Sequence, residues 1–442
     1  MPTSVGPNTK GEENLVFGYD LGDSVNSYKG EPTTNFAYLH NGRKNSSYES
    51  YMPQSATGQI AALHPGAIRV YNQNGSDISY YLNTGINISN SGVEWYNTNH
   101  AYWVYDDILK KPVVQMIDRT GVWQAKYMGL GVTWDSLGLT NGDQYTMSWL
   151  QWSSDGVKRA HAGVYWYDPA LGYSGFWDGL SNTGNSTAGK WTRVSQTFTV
   201  SSGKPTDQSL TWYMYGMYYS RATLRIADVQ LEKKSHATPF TFSNVRSNTQ
   251  GLIDLTGNST IDLTNVSFDS NAQMTFDGTD DKAVVANFPH IWDGSVTMEA
   301  VVAWNDDSRS IIFGNYNVGA NDINFEKLTG RALRFYWNRG ERDVTTASNV
   351  VTTTGNPHHV VMVRDKGVNL FKFYVDGVEI ATSSNVGTDV SSTGSTFRIG
   401  GDTRDGTTIH NGDITMLKLY NRALTASEVA SNYKAIKTRF NI

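Results

Sequence analysis

The sequence predicts an all-β protein that divides into at least two domains. Aromatic residues run through the whole chain, with 13 Trp, 25 Tyr and 16 Phe, while charged residues make up only 17%. Together with abundant Gly, Ser, Thr and Asn, this composition is typical of many short strands joined by polar turns. A chain of 442 residues also exceeds what one hydrophobic core usually supports, so we expect more than one core.

The charge pattern and the lack of cysteine exclude several classes of protein. The net charge is 36 − 41 = −5 and contains no basic stripe, so we expect neither nucleic acid nor a membrane as a partner. No apolar segment approaches the roughly 20 residues that span a bilayer, and the N-terminus lacks the basic start and apolar core of a signal peptide. Because cysteine is absent, disulfides and Cys-based zinc sites are excluded.

Residues 1–35 are predicted to form an extended N-terminal arm. The segment is rich in Gly, Asn and Ser, and residues 15–20, Leu-Val-Phe-Gly-Tyr-Asp, are its one clear candidate strand. On local grounds, residues 26–35 form a loop that contains a Pro turn.

Residues 36–245 are predicted to form the first domain. Its clearest strands are expected at 145–152, 162–167, 191–200, 210–218 and 224–232. In the third of these strands, polar and apolar positions alternate, which assigns Val194, Gln196, Phe198 and Val200 to the face toward the core. The strands that precede residue 145 are less clearly marked.

Residues 241–250 are polar and are predicted to link the first domain to a second one over 246–442. The one clear helix lies at the end of this second domain. Thr425 and Glu428 have the spacing of a capping box, in which each side chain accepts a hydrogen bond from the other residue's backbone N–H. Val429, Tyr433 and Ile436 follow at helical spacing and form an apolar stripe that can lie on a sheet.

Four phrases of the second domain carry a resemblance to a known family. They lie at residues 275–281, 358–364, 373–379 and 412–428. In this order they resemble the laminin-G-like branch of the concanavalin A-like jelly rolls. In the first domain, residues 145–240, with the closing phrases Ile-Ala-Asp-Val-Gln-Leu-Glu at 226–232 and Ala-Thr-Pro-Phe at 237–240, resemble a carbohydrate-binding-module jelly roll. The resemblance implies two tandem β-sandwich (jelly-roll) domains.

The same phrases, and the phrase at residues 26–35, also resemble virion proteins of tailed bacteriophages. That resemblance implies a virion structural protein, displayed as a fibre, collar or capsid decoration and contacting host-surface glycans. We then expect assembly in the host cytoplasm, exposure on the particle, docking to other virion proteins through the arm, and a homo-oligomer such as a trimer. Two alternatives stay open: a carbohydrate-binding accessory protein or carbohydrate-active enzyme, and an architectural cement protein without a ligand.

No catalytic pattern is found in the sequence, so we expect no enzyme activity. Retaining glucanases of this fold family need carboxylates at spacing two and four on one strand face, and Glu299 is a lone strand carboxylate. His358 and His359 could be taken for a metal-binding pair. However, adjacent strand residues point to opposite faces, which favours a structural role for both.

Loop carboxylates could hold a structural Ca²⁺, the one cofactor that we expect as a candidate. Ca²⁺ prefers six to eight hard oxygen ligands, and jelly rolls often hold one in their loops. The alternative is turn chemistry, because Asp and Asn also hydrogen-bond their own backbone. The candidate ligands are Asp277 and Asp280, beside Asp281, in one turn, and Asp402, Asp405 and Asp413, with Asn411, in another.

Glycan binding needs flat aromatic faces and fixed polar groups. In the first domain, Tyr167 leads into a Gly- and Ser-containing segment with further large aromatics, and the candidate platform is Tyr167, Tyr173, Phe176 and Trp177. The alternative is that these rings cover the end of the sandwich or a subunit contact. In the second domain, Tyr336, Trp337 and Arg339 precede a charged loop, for which a salt-bridged turn is the alternative.

Overall fold

The structure is a computed structural model that describes most of the chain. The described residues are 13–39, 68–70, 101–117, 126–133, 138–140, 142–156, 160–168, 173–177, 187–199, 209–214, 223–241, 243–315, 322–338, 341–390, 396–402 and 408–442. The chain divides into two compact units. The N-terminal unit comprises Thr33–Val245, and the C-terminal unit comprises Met1–Pro32 and Arg246–Ile442.

The described elements are almost all strands. In chain order the first thirteen are β1 (Leu15–Asp20), β2 (Thr33–Leu39), β3 (Ile68–Val70), β4 (Ala101–Asp106), β5 (Lys111–Ile117), β6 (Lys126–Thr133), β7 (Gln144–Ser153), β8 (Ala160–Asp168), β9 (Tyr173–Trp177), β10 (Thr192–Thr199), β11 (Ser209–Met214), β12 (Thr223–Glu232) and β13 (Val245–Arg246). They are followed by β14 (Thr260–Asn265), β15 (Ser267–Phe268), β16 (Met274–Asp277), β17 (Lys282–Ala286), β18 (Val296–Trp304), β19 (Ser310–Asn315), β20 (Ile323–Lys327), β21 (Leu333–Trp337), β22 (Arg342–Thr345), β23 (Pro357–Asp365), β24 (Leu370–Val375), β25 (Val378–Ser384), β26 (Phe397–Ile399), β27 (Asn411–Tyr420) and the helix α1 (Ala426–Phe440).

The C-terminal unit is a sandwich of two antiparallel sheets. Sheet I has eight strands in the order β15-β16-β27-β18-β23-β24-β25, with β1 also paired to β27. Sheet II has seven strands in the order β14-β17-β26-β19-β20-β21-β22. Strands distant in sequence are neighbours in both sheets, as expected for a jelly roll. One hydrophobic core lies between the sheets, and in it the rings of Phe313 and Phe397 stack with centroids 5.0 Å apart.

The segment predicted as an extended arm contributes a strand to this sandwich. Strand β1 pairs antiparallel with β27, and Phe17 lies opposite Leu419. Phe17 and Tyr19 are fully buried in the core between the sheets. The strand predicted at residues 15–20 is therefore present, but it is held inside the C-terminal unit rather than extended alone. The physical reason is the hydrophobic effect, because burying two large aromatic rings removes apolar surface from water and stabilises the folded chain.

Helix α1 confirms the prediction of one short C-terminal helix. Thr425 is the N-cap and forms a capping box with Glu428, as its sequence spacing predicts. The helix packs on the face of sheet I that points away from the core, where Val429 lies with Val361 and Tyr374. Ile436 packs about two helical turns further on, against Val301 and Met416. Within the described residues, no helix is both long and apolar enough to cross a membrane.

The N-terminal unit contains an eight-stranded sheet, which runs β10-β7-β12-β2-β13 with β3, β4 and β5 attached, and a four-stranded sheet, β6-β11-β8-β9. The alternation predicted for β10 is confirmed where it is described. Val194, Gln196 and Phe198 are buried, while the intervening residues 195, 197 and 199 are exposed. Val200 lies outside the described residues. All described strand pairs of this unit are antiparallel, in keeping with the predicted all-β class.

The closing phrase of the first domain has a structural explanation. Glu232, which is fully buried, accepts hydrogen bonds from Thr33 Oγ1 at 2.7 Å, Gln230 Nε2 at 2.8 Å and the Thr238 backbone N–H at 3.1 Å. Burial raises the pKa of Glu232, and the hydrogen bonds from Thr238 and Thr33 oppose that rise. A buried carboxylate needs hydrogen-bond partners. Through Thr238, Glu232 therefore connects the segment at residues 237–240 to strand β12.

Candidate functional site

The buried pair Glu299 and His359 is a structural centre. His359 Nε2 lies 2.7 Å from Glu299 Oε1, and both side chains are fully buried. Tyr420 and Asn432 each donate to Glu299 Oε2 at 3.1 Å. Burial opposes ionisation of Glu299, but the hydrogen bond from His359 and the nearby positive charges outweigh it and hold the pKa of that carboxyl below its usual value. Without solvent access, this carboxylate is placed to anchor helix α1 rather than to meet a substrate.

His358 and His359 do not share a site. His358 Nδ1 lies 2.9 Å from Asp376 Oδ2, while His359 reaches Glu299 on the other face of sheet I. The expectation that these neighbours point to opposite faces is therefore confirmed by their contacts. The Asp376 carboxylate also accepts the backbone N–H of His359 at 3.0 Å, so it fixes the start of strand β23.

The structure brings one of the two candidate calcium clusters together. Asp277, Asp280 and Asp281 each offer an oxygen atom, and these atoms lie within 4.8 Å of one another. This is the one group of three or more potential acidic or histidine ligands within the described residues. However, Asp281 already accepts hydrogen bonds from Ser267 N at 3.0 Å and from Asp277 N at 2.9 Å. Turn chemistry therefore accounts for Asp281, and it leaves the exposed Asp280 as the carboxylate best placed for a cation.

The second calcium cluster is only partly described. Asp402 is fully buried, and Asp405 lies outside the described residues. Asp413 is half-buried, and burial raises the pKa of its carboxyl. The structure does not gather Asp402 and Asp413 into a group of three ligands within its described part.

The predicted glycan platform of the N-terminal unit lies on the hairpin β8–β9. Its register pairs Tyr165 with Phe176, Val164 with Trp177 and Asp168 with Tyr173. Because successive strand positions alternate between faces, Phe176 falls on one face of this sheet and Trp177 on the other. By the same alternation, Tyr167 shares the face of Phe176, and Tyr173 shares that of Trp177. The side chains themselves lie outside the described part of the structure, so the platform stays a prediction.

The outer face of sheet II presents a second set of functional groups. Along β20 and β21, alternate residues such as Phe325 and Phe335 enter the core. The residues between them necessarily point away from it. Across neighbouring strands the register aligns one row of these outward residues, which we call the outer row. From β26 to β22 it consists of Arg398, Gly314, Asn324, Tyr336 and Asp343.

Asn324 forms the floor of the outer row. A Cβ atom added to Gly314 would lie 2.0 Å from Asn324 Oδ1, so the asparagine side chain occupies the space above this glycine. Asn324 is only 2% exposed, and its Oδ1 has no hydrogen-bond partner. A buried, unpaired carbonyl oxygen costs about 1–3 kcal/mol, and a ligand or water that donates a hydrogen bond to it would recover that cost.

Charged neighbours hold the Tyr336 end of the outer row in place. The buried Glu326 accepts hydrogen bonds from Arg309 Nε and Arg334 Nε, both at 2.6 Å. Arg334 also reaches Asp343 at 3.3 Å, and its guanidinium lies over the ring of Tyr336, 5.4 Å from the centroid. Tyr336 itself is half-buried. The network fixes the ring before any ligand arrives and leaves it within reach of solvent.

Trp337 and the charged loop beside it are structural. Trp337 is fully buried, donates to Thr388 O at 2.9 Å and lies under the guanidinium of Arg364. Glu341 accepts the backbone N–H of Thr388 at 2.8 Å, so the loop is pinned by hydrogen bonds. The prediction that Trp337 belongs to a glycan platform is therefore wrong, because this residue lies on the core face of β21. Arg339 lies outside the described residues.

Gly314, Asn324 and Arg398 were not found from the sequence. They come from three strands, β19, β20 and β26, whose pairing joins residues as far as 84 positions apart (398 − 314). The one local signal was the alternation in residues 323–327, Ile-Asn-Phe-Glu-Lys, which places Asn324 and Glu326 on the face opposite the large apolar residues.

Comparisons with known proteins identify the fold of the C-terminal region. Residues 277–430 match the laminin-G family model described as "Concanavalin A-like lectin/glucanases superfamily". This part of the chain is therefore similar to concanavalin A-like domains, in line with the sequence prediction for it. The match covers less than half of the chain. No curated protein matches the sequence.

Solved structures that are similar to this chain include several carbohydrate-binding or receptor-binding domains. The CBM40 of Ruminococcus gnavus IT-sialidase, bound to alpha2,3 sialyllactose, is 15% identical, with a TM-score of 0.29, and the alignment covers 32% of this chain and 83% of that one. The binding domain of botulinum neurotoxin serotype D is 12% identical, with a TM-score of 0.34 and coverages of 43% and 49%. Domain 4 of AbnA, an extracellular GH43 arabinanase from Geobacillus stearothermophilus, in complex with arabinotriose, is 17% identical, with a TM-score of 0.33 and coverages of 42% and 93%.

Proposed function

We propose that the protein is a carbohydrate-binding protein whose C-terminal unit binds a glycan across the outer row of sheet II. The observation that carries the proposal is the unpaired Oδ1 of the buried Asn324, which lies on the floor between the half-buried side chains of Arg398 and Tyr336. The concanavalin A-like match of residues 277–430 supports the same class of function.

The chemistry of the outer row suits a sugar. A pyranose presents C–H groups on one face and hydroxyl groups around its edge, so it needs a flat aromatic surface and fixed polar partners. Tyr336 offers the aromatic surface, and Asn324 Oδ1 offers an acceptor for one hydroxyl. The ion pairs of Glu326 hold these groups in place, which lowers the entropy lost on binding. We expect binding without cleavage.

A glycan array on the full chain, followed by calorimetry on the best ligand, tests the proposal. Tyr336→Ala should weaken binding at least tenfold, which corresponds to about 1.4 kcal/mol, whereas Tyr336→Phe should keep most of it because the ring remains. Asn324→Ala should also weaken binding. Asn271→Ala is the matched control, because it truncates an exposed asparagine between β15 and β16 of sheet I, outside the outer row. Affinity that is unchanged in both Tyr336→Ala and Asn324→Ala would reject this site.

The carbohydrate-active enzyme is the alternative within the same class. Release of shorter products from the bound glycan would favour it over a binding protein. The virion role, the surface localisation on a particle and the homo-oligomer remain predictions from the sequence resemblance. The described residues of the predicted arm, 13–35, include strand β1, which is paired within sheet I and so lends no support to a docking role.

A further inference from the structure

We propose that the glycan bound at the outer row is anionic and that Arg398 binds its carboxylate or sulfate group. The inference rests on the proposed function, because it concerns the ligand class of the same site. The arginines on this face of sheet II differ in whether they form an ion pair. Arg309 and Arg334 are both paired with Glu326, whereas Arg398 has no such partner.

Arg398 is a half-buried cation without a counter-ion. Within the described part of the chain, its guanidinium makes no ion pair, and its Nε is buried without a hydrogen-bond partner. A partly desolvated charge is stabilised only when an opposite charge or several hydrogen-bond acceptors reach it.

The neighbours of Arg398 across the sheet leave room for such a partner. In the register, Arg398 lies between Val284 on β17 and Gly314 on β19, and neither carries a charge. The acidic residues of the same row are at its ends. Asp262 is two strands away and Asp343 is four strands away, about 10 Å and 19 Å at ordinary strand spacing. An acidic group at Arg398 must therefore come from outside the row.

The shape of a guanidinium defines the ligand group. Its planar fork of N–H donors matches the paired oxygens of a carboxylate or a sulfate, whereas a neutral hydroxyl leaves the charge uncompensated. Tyr336 lies three strands from Arg398, about 14 Å at ordinary strand spacing. One short oligosaccharide can therefore place an acidic residue at Arg398, a hydroxyl at Asn324 and a sugar face on Tyr336.

Calorimetry with two acidic oligosaccharide probes and their two neutral forms tests the inference on the full chain. The probes are a uronic-acid oligosaccharide, a sulfated oligosaccharide, and the carboxyl-reduced or desulfated form of each. We expect at least one acidic probe to bind tenfold or more tightly than its neutral form, and this preference should shrink as salt screens the charges. The acidic probe that binds more tightly identifies the group as carboxylate or sulfate.

Variants of Arg398 assign the preference to this residue. Arg398→Gln should abolish the preference for the acidic probe, and Arg398→Lys should keep part of it, because the charge remains while the fork is lost. Lys434→Gln removes the same charge from an exposed position on helix α1 and should leave the preference unchanged. Thermal unfolding of each variant checks that the fold is retained.

Two outcomes would overturn the inference. One is equal or tighter binding of the neutral probes, and the other is a preference for acidic probes that survives in Arg398→Gln. Either result leaves the proposed function standing if Tyr336→Ala and Asn324→Ala still weaken binding. If none of the probes or array glycans binds, the proposed function fails, and this inference fails with it.

Discussion

Asn324 Oδ1 stands where a side chain on Gly314 would have to be, because an added Cβ would lie only 2.0 Å from it. The glycine on β19 therefore decides how the asparagine on β20 presents its amide to the outer row. The site therefore needs a small residue at position 314, because the space that a larger side chain would fill holds the unpaired carbonyl oxygen of Asn324.

Gly314→Ala should displace the Asn324 side chain and weaken glycan binding. The clash involves the carbonyl oxygen and Cγ of a buried residue, so we also expect a loss of about 1–3 kcal/mol in the free energy of unfolding, as for other overpacked sites. Urea unfolding and calorimetry measure the two effects. Gly294→Ala is the control, because no atom lies within 4 Å of its added Cβ. Full affinity in Gly314→Ala would contradict the role of Asn324.

Glu299→Ala should be among the most destabilising substitutions in the C-terminal unit. It removes the partner of His359 and the carboxylate that accepts hydrogen bonds from Tyr420 and Asn432 under helix α1. We expect a loss of about 3 kcal/mol in urea unfolding, the usual cost of breaking a buried pair. Glu379→Gln, a change at an exposed carboxylate on β25, should have little effect. Equal stabilities of the two variants would show that the buried pair is dispensable.

The buried carboxylate also makes stability depend on pH in a defined direction. The pKa of Glu299 is lowered in the folded protein, because its hydrogen bonds and nearby positive charges outweigh burial. Its stabilising contribution is therefore present above the pKa that it has in the unfolded chain. It is lost as the pH falls through the lower pKa of the folded state.

His410 should make the protein less stable below about pH 6.5. Burial lowers the pKa of His410 from 6.5 to about 4. Between pH 6.5 and pH 4 the unfolded chain therefore binds a proton at this residue that the folded protein does not bind. The free energy of unfolding should fall by about 3 kcal/mol from pH 7 to pH 4 through this residue. His410→Phe should flatten the profile in this window, and His290→Gln, at an exposed position, should not. Parallel profiles of wild type and His410→Phe would contradict the assignment.

Substitutions of Asp281 and Asp280 distinguish a role in the hydrogen-bonded turn from a role in calcium binding. Asp281→Ala leaves the N–H groups of Ser267 and Asp277 without their acceptor, so we expect a loss of about 2 kcal/mol even in EDTA. Asp280→Ala should leave stability in EDTA unchanged. If the sequence prediction of Ca²⁺ holds, millimolar Ca²⁺ raises the unfolding temperature of the wild type and not that of Asp280→Ala. Equal temperatures with and without Ca²⁺ would assign the cluster to the turn alone.

We predict that Phe176 and Trp177 do not both belong to one glycan platform in the N-terminal unit. They are adjacent positions of β9 and therefore lie on opposite faces of its sheet. In a Tyr336→Ala background, any remaining glycan binding should fall in only one of Phe176→Ala and Trp177→Ala. Calorimetry on the two variants identifies the face that binds. A similar loss in both would show that the rings act through the fold and not as a platform.

Elements whose signal is local could be predicted from the sequence. The all-β class followed from composition, the core face of β10 from the alternation of Val194 and Phe198, and helix α1 from the capping box of Thr425 and Glu428. In each case the residues that carry the signal lie within a few positions of one another. Strand alternation and helix capping are set by the backbone geometry of a single segment, so they can be seen without knowing the partner.

Which segments meet depends on how the whole chain folds. Strand β1 pairs with β27, about 400 residues away, and the outer row joins Arg398 to Gly314, Asn324 and Tyr336 through the register of successive strands. A shift of one residue in any of these pairings would turn a different side of that strand outward. The register is fixed by burial of Phe313, Phe325 and Phe335 in a shared core, so the site exists only once that core has formed.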